Sequence, residues 1–177
     1  LATGTTVDIE IDGAYANMVR NSVLRDLIDR NLHRVGGVTY TPEESAYAEK
    51  VRATLGLPSL APLTQAAEVR SPKAALFSVS TDVGDVSWVV PTGQLLAAAL
   101  PAGVPLHSWQ STACTGTEIG RKGMLVAAKT LALSANELFE KPQLVRDAHA
   151  AWEKAKAGQT YRSLIPANAK PPIGQAH

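Results

Sequence analysis

Residues 119–139 read IGRKGMLVAAKTLALSANELF, an alanine- and leucine-rich run with no proline. Such a run predicts one long helix that is apolar over more than half of its circumference. A helix of that kind is predicted to be deeply packed, because water on an all-round apolar surface is costly. Whatever else the chain does, it must cover this helix.

Cap signals divide much of the remaining chain. Asn21 is placed to cap a helix in which Val23, Leu24, Leu27, Ile28 and Leu32 recur at three- and four-residue spacing, and Gly36-Gly37 stops it. Thr41, Pro42, Glu43 and Glu44 form a capping box with proline at the first helical position. That helix is predicted to run to about Leu55 and to end at Gly56, with Pro58 beyond. A more charged helix starts at Pro142, continues through Lys156 and closes at Gly158. Residues 59–73 are a polar connection, and residues 166–177, with Pro171-Pro172, form an extended tail. His33 falls at the end of the first helix, where a partial positive charge suits the dipole. His149 lies in the charged helix, and His177 is the last residue.

The strand signals are fewer. Residues 5–12 alternate, with Val7, Ile9 and Ile11 on one face and Asp8, Glu10 and Asp12 on the other, the pattern of a half-buried strand. Residues 74–79 (AALFSV) read as a buried strand, and residues 95–100 as a strand or a buried helix, which periodicity does not separate. Strands alternating with helices make the class α/β or α+β. Two or three strands are few for this much apolar helix, so further strands are expected in sequence beyond the chain. The absence of an initiator Met at Leu1 fits that expectation.

Composition excludes several functions. Hydrophobic residues make up 45%, a globular proportion, and 17 basic against 16 acidic residues leave a net charge of +1. No basic footprint for nucleic acid or an anionic membrane follows from that balance. No apolar run approaches the roughly 20 residues of a membrane span, and no secretory signal pattern occurs. The single Cys114 cannot form an internal disulfide, which fits a reducing cytoplasm. The Gly116…Gly120-Arg-Lys-Gly run lacks the GK[ST] ending of a phosphate loop and reads as an ordinary helix entry.

The chemistry-bearing stretch is residues 80–110. Asp82 and Asp85 flank Gly84, and His107 follows in a Pro-Leu-His-Ser-Trp turn. Pro105 stiffens the approach, Leu106 can anchor it, and Ser108 and Trp109 can wall a pocket. His107 is then either a metal ligand or catalytic residue, or a hydrogen-bonded structural histidine. Asp82 and Asp85 either orient a ligand histidine from behind or cap backbone N–H groups.

The segments DVGDVSW, VPT, PLHSWQ and IGRKGMLVAAK together resemble the aminoacylase/carboxypeptidase-type family of dinuclear metallohydrolases. Asp82 is followed by Pro91 nine residues on, then by Leu106-His107 and Ile119-Gly120, in the family's order. Thr81 stands where the wider family has Glu. Tyr15 to Asn21 resembles the family's hinge, and Tyr161 with Ile165-Pro166 its closing segment.

The resemblance implies an α/β fold, the C-terminal half of a mixed-sheet, zinc-peptidase-like catalytic domain (19–177), preceded by the last strand of a lid or dimerisation domain (1–18). It implies a metal-dependent amidohydrolase that uses metal-activated water on an N-acyl amino acid such as p-aminobenzoyl-glutamate. Two divalent ions, zinc or manganese, would be held, with His107 the one ligand from this chain and Asp82 and Asp85 behind it. The general base and the other ligands are expected upstream, so that the isolated chain is inactive and binds no catalytic metal tightly. Its expected partners are the N-terminal half of the same protein and a second subunit in a dimer. The alternative is a non-catalytic binding or assembly module of the same ancestry.

Overall fold

The computed structural model describes residues 3–9, 11, 13–71 and 81–170. Among them every regular element is helical. They are α1 (Ser22–Val35), α2 (Pro42–Ala53), α3 (Val83–Val89), α4 (Trp109–Thr115), α5 (Glu118–Glu140) and α6 (Pro142–Lys156), with a 3₁₀ turn at Leu63–Ala67.

The caps act as their residue types dictate. Asn21 accepts a hydrogen bond from the Leu24 N–H at 3.1 Å, and Gly36 ends α1 at a φ of 84° that few other residues adopt. The Thr41 box is complete: the Thr41 hydroxyl accepts from the Glu44 N–H, and the Glu44 carboxylate accepts from the Thr41 N–H. Thr117 caps α5 through the Ile119 N–H at 3.3 Å.

The core is built where α1, α5 and α6 meet. Leu24, Leu27 and Ala148 are buried there, with Val23, Leu138 and Leu144 packed against them. Away from this junction the α1–α5 contact is polar. Asn31 is fully buried; its amide donates to Ser134 Oγ at 3.2 Å and to Glu137 Oε1 at 3.0 Å. Its carbonyl oxygen accepts from Arg34 at 2.8 Å. Glu137 also accepts from Lys141 at 2.8 Å and from Arg30 at 3.1 Å. Residues 91–104 run without helix between α1 and α5. Gly93 lies against Leu24 and Ile28, and the backbone at Ala98-Ala99 lies where a side chain at position 123 would be.

The α/β expectation is corrected: no strand or sheet exists among the described residues. Residues 5–9 form no strand, with Val7 80% and Ile9 84% exposed. A helix satisfies its own backbone, whereas a strand needs a neighbour's N–H and C=O groups, and none of the described residues pairs in a ladder. Residues 95–100 are neither strand nor helix, and Leu96 is exposed. The strand expected at 74–79 lies outside the described residues. α5 departs from expectation in burial, not in extent. Its buried positions are largely small or polar (Gly120, Gly123, Thr130, Ser134, Glu137), while Met124, Leu131 and Phe139 are exposed. α3 and α4, both short, fall in stretches for which no helix is expected from the sequence.

Lys141 first, then Asn31 and Arg30, hold the Glu137 carboxyl down at about 2 from its ordinary 4.5. A depressed carboxyl contributes stability that is fully present above pH 4.5 and is lost as the pH falls through about 2. Stability measured by denaturant titration is therefore expected to decline as pH drops across that window. In Glu137→Gln the stability deficit relative to wild type is expected to be largest above pH 4.5 and to shrink below it. An equal deficit at every pH would show that Glu137 acts by packing alone.

Candidate functional site

α3 anchors the neighbourhood of the two carboxylates. Thr81, not Asp82, takes the first free N–H of the helix: its hydroxyl accepts from the Val83 N–H at 3.3 Å. Asp82 is exposed at the N-cap position and makes no capping bond. Asp85 has two partners far away in sequence. One of its carboxylate oxygens accepts from the Ala16 N–H at 3.2 Å and from the Tyr161 hydroxyl at 3.0 Å. Asp85 thus ties the segment before α1 to the segment after α6. Its carboxylate, by accepting the Tyr161 proton, raises the Tyr161 phenol above its ordinary 10.0.

Ser87, unremarked in the sequence, is the best-connected residue of this region. It is fully buried; its hydroxyl accepts from the Val19 N–H at 2.8 Å and donates to the Gly84 carbonyl at 2.5 Å. Its own carbonyl accepts from the Trp152 indole at 2.7 Å. The Trp88 indole donates to the Asn17 carbonyl at 2.8 Å, and the Asn21 amide donates to the Ala148 carbonyl at 2.8 Å. Residues 16–21 are therefore stapled across α3 and α6. Gly84 makes the crossing possible, since the Ala16 carbonyl occupies the space a Cβ would need. The available signal was the Gly84/Ser87 pair, three residues apart on one helix face.

His107 sits on the loop that leads into α4. The loop is built from below: the Ser108 hydroxyl donates to the Pro105 carbonyl at 2.7 Å and accepts from the Ser111 N–H at 3.2 Å, capping α4. Behind it, Cys114 and Gln110 are buried, and Gln110 donates to Thr54 on the far side at 3.1 Å. The imidazole itself is exposed, between Leu106 (70% exposed) and Trp109 (61% exposed). No hydrogen bond or ion pair holds it among the described residues. Ser108 is thus occupied as a cap, and Trp109 stands in solvent without walling a cavity. Two broad depressions of about 530 and 630 Å³ lie elsewhere, against Val35 and Leu133 and at the start of α5, and neither includes His107.

The expected residues therefore do not assemble into one centre within this chain. Among the described residues no group of three or more His, Cys, Asp or Glu side chains could hold a metal ion. Zinc sites need three or four protein ligands, so the donor set among the described residues does not fit a metal centre by itself. Nor is any described helix long and apolar enough to cross a membrane.

Neither a family model nor a solved structure matches the chain. Among curated proteins it has a homologue, and that homologue is one subunit of a hydrolase. The relative is the B subunit of p-aminobenzoyl-glutamate hydrolase from Escherichia coli (strain K12), 32% identical over 195 residues. The match takes in 97% of this chain but only 40% of the relative, so the chain spans well under half of that protein's length. The resemblance read from the Asp82, His107 and Ile119 segments is borne out by this match and extends along nearly the whole chain.

Gly84→Ala is expected to displace the residue 16–21 crossing and destabilise the protein by about 1–3 kcal/mol, the usual range for overpacking. Thermal unfolding measures the loss. A wild-type melting temperature in the variant would show that the crossing yields without cost.

Proposed function

We propose that the chain is the C-terminal part of a metal-dependent amidohydrolase that cleaves p-aminobenzoyl-glutamate or a related N-acyl amino acid. The observation that carries the reading is the alignment along 97% of the chain with a p-aminobenzoyl-glutamate hydrolase subunit. The presentation of His107 supports it: an imidazole without partners among the described residues, exposed on a loop braced by Pro105, Ser108 and α4. Such a group is free to serve a site completed by another part of the protein.

In this reading residues 1–18 close a lid or dimerisation domain and residues 19–177 belong to the catalytic domain. The complete protein holds two divalent ions, zinc or manganese, and His107 is the one ligand contributed from here. The other ligands and the general base come from the portion of the complete protein that corresponds to the part of the relative outside the match. Asp85 has a different task from the one its position in the motif implies, since both of its bonds hold the fold. Asp82, exposed and not engaged in capping, is the carboxylate left to orient a ligand. The complete protein is cytoplasmic and dimeric.

A second reading, a non-catalytic module of the same ancestry, is favoured by one observation: the described residues of the chain gather no metal-binding group. One experiment separates the two. In the complete protein, His107→Ala is expected to lower bound metal from two ions per subunit towards one and to abolish most amide hydrolysis. The fold should be unaffected, because the side chain is exposed. Two retained ions and undiminished turnover would remove His107 from the site, and a complete protein without metal or turnover would favour the module.

A further inference from the structure

From Met124 to Phe139 the outward side of α5 is apolar, with Arg121, ion-paired to Glu118, at its N-terminal end. At 3.6 residues per turn, Met124, Leu125, Ala128, Leu131, Ala135 and Phe139 fall within about 120° of arc. Met124 is 60%, Leu131 48% and Phe139 87% exposed. Lys129 and Glu140 lie to one side of this stripe. An apolar helix face of this length in water is unusual and marks an interaction surface. The helix cannot roll to hide it. Its opposite side is committed to α1 through Thr130, Ser134 and Glu137, and Glu137 is held by Asn31, Arg30 and Lys141. Turning the stripe inward would leave that carboxylate unpaired and put leucines against Asn31.

We infer that this face is the seat of the part of the polypeptide that the chain does not span, an uncharged apolar surface on the larger portion of the parent protein. The inference rests on the reading of the chain as part of a longer hydrolase. Two observations select this occupant. The relative continues well beyond the match, since the chain accounts for only 40% of it, which leaves ample chain to cover the face. Between Met124 and Phe139 the stripe also carries no charge pattern of the kind that specifies a separate, exchangeable partner.

Leu131→Cys tests the assignment, because the one native cysteine of the chain, Cys114, is fully buried and gives little background. In the isolated 177-residue chain, position 131 is expected to react with a small maleimide at the rate of an open thiol. In the complete protein the same position, read by mass spectrometry of its peptide, is expected to react at least about ten-fold more slowly. Leu131→Lys should correspondingly leave the melting temperature of the isolated chain unchanged and lower that of the complete protein. Equal labelling in both forms would overturn the inference. So would protection already present in the isolated chain together with a dimeric mass, which would assign the face to a second copy. A reading frame without the larger portion of the parent would overturn it as well. Protection in a complete protein that lacks metal and turnover would leave this docking intact and remove the hydrolase reading instead.

Discussion

The buried carboxylate of Glu137 decides how the molecule is arranged. A carboxylate at a helix–helix contact is tolerable only when its lone pairs are met, and here Asn31, Arg30 and Lys141 meet them. Removing its cationic partners Arg30, Arg34 and Lys141 together would leave the charge uncompensated in a site that is nearly closed to water. This network fixes the rotation of α5 about its own axis. Thr130 and Ser134, which bond back to the Val126 and Thr130 carbonyls, complete a narrow polar face that lets α1 approach. The apolar side of α5 is turned outward as a direct consequence.

A second arrangement depends on a smaller group. The segment before α1 reaches its place by passing over Gly84 and bonding to Ser87, Trp88 and Asp85. Tyr161 arrives at the same Asp85 from the other end of the chain. Segments far apart in sequence, on either side of α3, are thereby held at one helix of seven residues. The motif that carried the family resemblance is, in this chain, first a structural clasp. His107 stands apart from it on a braced loop, so the chain presents its ligand-type side chain outward while Asp85 serves the fold.

Residue types with local physics were legible in the sequence. Asn21, the Thr41–Glu44 box, Gly36, Pro142 and the periodic leucines marked four helices whose observed limits lie within a few residues of expectation, because caps and periodicity act within a turn or two. The alternation of residues 5–9 was equally visible and did not yield a strand, since pairing depends on a neighbour the pattern cannot supply. α3 and α4 carry seven residues each, too few for helical periodicity to show. His107 was legible as chemistry; its exposure and its lack of partners among the described residues were not.

By itself the sequence determined where the long helices begin and end, that the chain carries one candidate imidazole in a proline-stiffened loop, and which hydrolase it resembles. Tertiary structure decided which side of α5 faces inward, that Asp85 clasps the chain, and that the expected site residues do not converge. The reason is the range of the forces involved. Capping and periodicity are settled between residues three or four apart, whereas burial of Glu137, the crossing at Gly84 and the isolation of His107 are settled between segments that meet only when the chain has folded.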